Sequence, residues 1–178
     1  MVYNTENQFK DIRGLFMAIF RWIDGDVPNG IRITQVYGII FTRDGRILLI
    51  KDGEKYSFAG GKPEKEDDGM SGTLRRELLE EANVTIGEPL MVGYQLVDEE
   101  NGIAPYAQVR MTALIENIGD KKVDPATGLT FDRVLVPYYK GAEILRWGEV
   151  ATRQIDAAFL IVKEKFGLDK INEEILFV

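Results

Sequence analysis

The chain has 178 residues, with 22 Lys and Arg against 29 Asp and Glu, a net charge of −7 and a sequence pI near 4.8. That balance argues against broad electrostatic binding to nucleic acid or to an anionic membrane, and the 45% hydrophobic content suits one globular domain. Cys and His are both absent, which removes disulfides, thiolate chemistry, histidine bases and His-bound zinc together.

Phe9, Ile12, Phe16, Ile19, Phe20 and Ile23 recur at three- and four-residue steps. The spacing predicts an amphipathic helix over residues 8–23, inside an N-terminal helical extension of about residues 1–28. Its most apolar run, residues 15–20, is too short for a signal segment or a membrane span. With no cysteine in the chain, the cytoplasm is the expected compartment. Residues 24–30, rich in Asp, Gly and Pro, stop the helix. A strand over 31–41, the turn Asp44-Gly45 and a return strand over 47–51 then read as a hairpin.

A loop bearing Tyr56, Phe58 and Gly60-Gly61 leads to an acidic helix over 69–82. Strands are expected over 90–97 and 107–115, a Gly/Asp/Pro-rich loop over 117–130, and a short strand over 134–136 ended by Pro137. Helices over 140–146 and 150–166 follow. The apolar tail 175–178 needs burial, which favours a homodimer. The order implies a single α/β domain with helices on the faces of a mixed sheet.

The chemistry is concentrated in Gly60-Gly61-Lys62-Pro63-Glu64 and in Arg76-Glu77-Leu78-Leu79-Glu80-Glu81-Ala82-Asn83-Val84. At about 100° per residue, Glu77, Glu80 and Glu81 share one narrow arc of the helix with Thr73. Leu78, Leu79 and Ala82 lie towards the other side, where they can pack on the sheet. Like charges at this spacing cost a few tenths of a kcal/mol per pair. Such an arc is either a solvated acidic face or a seat for a hard divalent cation, since Mg²⁺ takes a few carboxylates and keeps waters for exchange. Gly60-Gly61 allows close backbone approach just upstream of the helix.

The segment resembles the signature of the Nudix hydrolases: Gly, five residues, Glu, seven residues, then Arg-Glu-aliphatic-any-Glu-Glu-any-Gly-aliphatic. Residues 76–84 match at every position but one, where Asn83 replaces Gly. Asn is the next-best residue for a left-handed helix end. The spacer 69–75 keeps its length. Asp68 stands where the family has Glu, after a loop (62–67) with one extra residue, so Glu66 or Asp67 is a possible substitute for it.

The resemblance implies an α/β/α sandwich that uses Mg²⁺, or Mn²⁺, to hydrolyse a nucleoside diphosphate linked to another moiety. Glu77, Glu80 and Glu81 would ligate the metal with the Gly60 carbonyl, and Arg76 would orient the glutamates by salt bridge. Glu80, Glu81 and Arg76 would thus carry catalysis, together with a base from a later loop. Asp124 is the first candidate for that base, ahead of Asp120, Asp132 and Glu116; the alternative for each is a turn-forming or helix-capping role. Arg110, in a polar row with Gln108 and Thr112, is expected either to clamp substrate phosphate or to form a cross-strand ion pair. Lys62 is a second candidate for phosphate and Trp147 for stacking a nucleobase.

The implied partner is a nucleotide-type small molecule, with no nucleic acid or membrane involved. The rival isomerase of the same fold, isopentenyl-diphosphate isomerase, needs Cys and His and is excluded. A catalytically inactive nucleotide-binding sensor of the same fold is the alternative that the altered loop before Asp68 keeps open.

Overall fold

The computed structural model describes residues 5–10 and 17–178, with side chains from residue 18 onward. The strands are β1 (Thr5–Lys10), β2 (Met17–Asp24), β3 (Arg32–Phe41), β4 (Arg46–Asp52), β5 (Lys55–Ser57), β6 (Gly60–Gly61), β7 (Val84–Ile86), β8 (Leu90–Asp98), β9 (Tyr106–Ile118), β10 (Asp132–Pro137) and β11 (Leu176–Phe177). The helices are α1 (Gly69–Ala82), α2 (Gly141–Leu145) and α3 (Glu149–Phe166). The sheet runs β1-β2-β8-β9-β3-β4-β10-β11, with β5 on β4, β6 on β3 and β7 on β9. The β3–β9 pair is parallel and the other described pairs are antiparallel, so the sheet is mixed as expected.

Both faces of the sheet are covered, which explains why β3 and β4 read as nearly unbroken apolar runs. Ile39, Phe41, Ile47 and Leu49 face Ala151, Ile155, Ala158 and Val162 of α3. The alternate residues Val36, Ile40, Leu48 and Ile50 face Leu74, Leu78 and Ala82 of α1. Leu79, expected on that packed side, is instead 38% exposed. The result is an α/β/α sandwich. No helix among the described residues is long and apolar enough to cross a membrane.

The expected N-terminal helix over 8–23 is not formed. Residues 5–10 and 17–24 are strands, and residues 11–16 lie outside the described ones. The extension is therefore a sheet extension, because β2 finds six partners on β8, from Ile19↔Asp98 to Asp24↔Gly93. The same segment also carries period-2 patterning that the helical reading passed over. Trp22 is buried in the α3-side core while Ile23 packs towards the α1 side. Trp22 lies so close over Gly93 that a Cβ there would stand 2.7 Å from the indole. In the tail β11 pairs with β10 and Val178 packs against the α1-side core, while Leu176 and Phe177 remain 40% and 58% exposed.

Trp22 is 2% exposed, and its truncation leaves a large cavity under β2. Trp22→Ala is expected to lower unfolding free energy by about 3–5 kcal/mol in a urea titration.

Candidate active site

Strand β6 lays Gly60 and Gly61 beside Tyr37 and Val36 of β3, which brings the pair against Glu77 and Glu81 in the second half of α1. Both positions exclude a side chain. Gly60 has φ +151°, and a Cβ on it would stand 2.2 Å from the Val36 carbonyl oxygen. A Cβ on Gly61 would stand 2.2 Å from Glu77 Oε1. The pair is therefore required by β3 on one side and by a glutamate of the acidic arc on the other. The Gly60 N–H donates to Glu81 Oε2 at 2.8 Å.

Arg76 gathers the rest of the motif. Its Nε and Nη2 donate to Asp67 Oδ1 and Oδ2 at 2.9 and 3.1 Å. Its Nη1 donates to Glu77 Oε1 at 2.9 Å and to Glu80 Oε2 at 3.0 Å, and its Nη2 also donates to the Lys62 carbonyl at 2.9 Å. Asp67, not Asp68, is thus the loop carboxylate bound by the arginine. Asp67 Oδ2 also accepts the Glu64 N–H and the Thr73 hydroxyl, each at 2.8 Å. Arg76, followed by these hydrogen bonds, holds the Asp67 carboxyl well below the usual carboxylate range, against its burial. Asp68 is exposed at the N-cap of α1, without a side-chain capping bond. At the other end Asn83 adopts the left-handed conformation, φ 48° and ψ 48°, and its side chain donates to the Asp120 carbonyl. This is the helix end expected of the residue replacing Gly.

The acidic arc is electrostatically crowded. Burial pushes Glu81 up to about 7, opposed by the Gly60 N–H and reinforced by Glu77, Asp124 and Glu80. Burial also raises Glu77, with Arg76 opposing. Asp124 is 3% exposed and near enough to act on both glutamates. Its Oδ1 accepts the Ala126 N–H and its Oδ2 the Thr127 hydroxyl, at 2.8 and 2.7 Å. It therefore builds its own turn as well as lending charge to the site. Asp132 is exposed and pairs with Lys121, and Asp120 and Glu116 are exposed.

Among the described residues no three or more acidic side chains stand as a ready-made metal cluster. The donors nevertheless fit a hard cation. Arg76 and Gly60 each pin single oxygens, leaving the second oxygen of Glu77, Glu80 and Glu81 unbonded. Three crowded carboxylates beside a backbone strand are the oxygen ligands that Mg²⁺ prefers.

A cleft runs away from this arc. A cavity of about 530 Å³ borders Glu81, and a second of about 340 Å³ borders Arg110; both are lined by Ser57, Arg146 and Trp147. Trp147 stands edge-on to Phe58 at 5.5 Å. Arg110 is 2% exposed and borders the smaller cavity; of its expected polar row Gln108 also lines that cavity, whereas Thr112 is buried and donates to the Ile39 carbonyl. The alternative of a cross-strand ion pair does not hold. Arg110 Nε donates to Gln154 Oε1 at 2.9 Å, its guanidinium lies 4.6 Å from the Tyr37 ring centre, and no carboxylate among the described residues pairs with it. Burial lowers its pKa to about 10, with Tyr37 opposing, so it stays cationic at neutral pH. Lys62 is exposed and touches the site through its carbonyl.

Phe20, Tyr37, Gln95 and Gln154 also line the Arg110 cavity, and the sequence reading did not single them out. For Gln154 a signal existed: it is a lone polar residue inside the buried stripe Val150, Ala151, Ile155, Ala158 and Val162 of α3.

The NUDIX domain family matches residues 32–131, more than half of the chain, and these residues hold the glycine pair, the Arg76 network and the acidic arc. The chain belongs to the Nudix family. No curated protein sequence matches it. Among solved structures, a mutant of the Bacillus subtilis pyrophosphohydrolase BsRppH superimposes with a TM-score of 0.59 at 17% identity, covering 92% of this chain and 99% of that one. A NUDIX hydrolase from Nitrosomonas europaea gives 0.54 at 15% identity, covering 79% and 93%. The MutT protein from Bacillus halodurans gives 0.50 at 18% identity, covering 68% and 78%. At such identities these likenesses concern the Nudix fold.

Two expectations follow from the site electrostatics. Asp67→Ala should lower the melting temperature at pH 7 by roughly 3–8 °C, whereas Asp68→Ala should leave it within about 1 °C. Because the folded Asp67 pKa is depressed, its stabilisation is present above the unfolded value of 3.8 and fades as pH falls below it. Glu81 has the opposite sign. Its pKa rises from 4.5 to about 7 on folding, so the metal-free protein is destabilised by Glu81 as pH climbs through that window. The stability gain of Glu81→Gln over the parent, measured by thermal melts in chelator, should grow between pH 4.5 and 7 and then level off.

Proposed function

We propose that this Nudix-type hydrolase uses Mg²⁺ to cleave a phosphoanhydride in a nucleoside diphosphate linked to another moiety, with Mn²⁺ as a substitute. The observation that carries the reading is the pinned acidic arc: one oxygen each of Glu77, Glu80 and Glu81 is fixed by Arg76 or Gly60, and the arc opens on a cleft that ends at a buried cation. One structural neighbour, BsRppH, is a pyrophosphohydrolase, which agrees with it.

Glu77, Glu80 and the Gly60 carbonyl would hold the metal, which when bound would supply charge neutralisation on the diphosphate and acidify a water. A chain of net charge −7 needs such a bridge to approach an anionic substrate. Glu81 stands beside them, placed to accept a proton. Its elevated pKa suits a base working near neutral pH. Burial first, and then the negative charges of Glu77 and Asp124, keep Glu81 basic, while both Asp124 oxygens accept turn hydrogen bonds. Arg76 holds the ligands in register and does not touch substrate. Lys62 meets phosphate from the solvent side, and Trp147 and Arg110 contact the remainder of the substrate along the cleft.

The test is product release from nucleoside triphosphates, nucleotide sugars, ADP-ribose and diadenosine polyphosphates. We expect turnover that needs Mg²⁺ or Mn²⁺ and falls at least about 100-fold in Glu80→Gln and in Glu81→Gln. Metal-dependent turnover unchanged in both variants would overturn the site assignment. Saturable nucleotide binding without turnover would favour the sensor reading, to which the engagement of both Asp124 oxygens already lends an observation.

A further inference from the structure

The Arg110 end of the cleft has a hydrogen-bonding character set by a single residue. A guanidinium has five donors and no acceptor. Any amide facing it must therefore present its oxygen. Gln154 Oε1 accepts from Arg110 Nε at 2.9 Å, and Gln95 Oε1 stands 3.4 Å from Arg110 Nη2. Both amide orientations are thereby fixed, and both Nε2 groups remain as donors. Gln154 is fully buried, and its Nε2 has no partner at all. A buried donor left unmade is costly, and native structures rarely tolerate one without a reason. Arg110 itself is buried with no carboxylate to balance it.

The walls of the same cavity are aromatic, with Tyr37, Trp147 and Phe20 among them. A flat ring suits those walls, and an edge that offers only acceptors suits the donors. We propose that this cavity takes the nucleobase of the substrate and that Gln154, with Gln95 and Arg110, selects bases with an oxygen at purine C6 or pyrimidine C4 over bases with an amine at that position. Guanine, hypoxanthine and uracil present a carbonyl oxygen there to the donor set. Adenine and cytosine present an amine there and set N–H against N–H, leaving donors on both sides unpaired at that position. The inference rests on reading the cleft as a nucleotide site, but it does not require hydrolysis.

The matched pairs IMP/AMP and UMP/CMP exchange an exocyclic oxygen for an exocyclic amine at one ring position. Each is titrated into the protein with Mg²⁺ present, since a monophosphate offers no phosphoanhydride to cleave, with ¹⁵N-labelled glutamine side-chain amides followed by NMR and ribose 5-phosphate as the control without a base. We expect IMP over AMP and UMP over CMP by about 10-fold, with the Gln154 amide resonance moving only for the preferred member. Gln154→Glu replaces the donor by an acceptor at constant shape and should abolish the preference. Gln95→Glu should weaken it, and it decides the matter if the Gln154 variant does not fold. Equal binding within the pairs, a preference unchanged in the folded variants, ribose 5-phosphate binding as well as IMP, or no binding by any of the four would each overturn the proposal. Selective binding without hydrolysis of any nucleotide would instead overturn the hydrolase reading and leave the base pocket standing.

Discussion

The site depends on one guanidinium. Glu77, Glu80 and Glu81 lie on a single arc of α1, and the loop before the helix adds Asp67 and, at 3.7 Å, Glu64. Without a cation these carboxylates repel one another, and the side-chain bonds left between loop and helix are those of the Thr73 hydroxyl to Asp67 and the Gly60 N–H to Glu81. Arg76 answers both needs because its planar fork reaches in several directions at once. Two arms go to Asp67, one atom bridges Glu77 and Glu80, and a further bond takes the Lys62 carbonyl. A lysine, with one compact charge, could not serve loop and helix together. The guanidinium is only 22% exposed, so salt screens this network less than it would a surface pair.

That arrangement also accounts for the altered loop. Counting along the chain places Asp68 at the motif position, but the extra residue is absorbed by a turn in which the Asp67 N–H donates to the Glu64 carbonyl. The turn rotates Asp67 inward, where Thr73, on the same arc as the glutamates, gives it a further hydrogen bond. Asp68 is left to begin the helix, its carbonyl accepting the Gly72 N–H. The bond to Arg76 is made by an aspartate one position before the one that the motif spacing marks. Residue counting aligns positions, whereas a turn decides which side chain faces the arginine.

The same distinction separates what was legible in the sequence from what was not. Helix α1 and strands β3, β4, β8 and β9 announce themselves through glycine stops and apolar periodicity, because their faces are buried by neighbours close in the chain or by the opposite layer. The N-terminal segment carries two periodicities at once, and only the six-residue pairing with β8 decides between them. No local pattern contains that information. The acidic arc and its arginine were readable because they are neighbours on one helix. The Arg110 pocket was not, because β2, β3, β8, β9 and α3 each contribute one or two residues to it from distant parts of the chain.

The two ends of the cleft are opposite in character, and Tyr37 joins them. Its hydroxyl is raised mainly by burial, lowered by Arg110, and raised again by Glu81 and Glu77, so one side chain senses both the cationic and the anionic end. At the acidic end burial and mutual repulsion raise Glu77 and Glu81 above the usual carboxylate range. The other end carries a positive charge that no described acid offsets and a donor that nothing accepts. A protein of net charge −7 has carboxylates to spare, so the lack of one beside Arg110 is not a matter of supply. An acid placed there would neutralise the arginine and occupy the donors that the amides now leave open. Both ends are incomplete in ways that a ligand would complete, one through a bridging cation and the other through acceptors on a ring. On the proposed reading, a molecule with a diphosphate at one end and a base with oxygen at purine C6 or pyrimidine C4 at the other would meet both conditions at once.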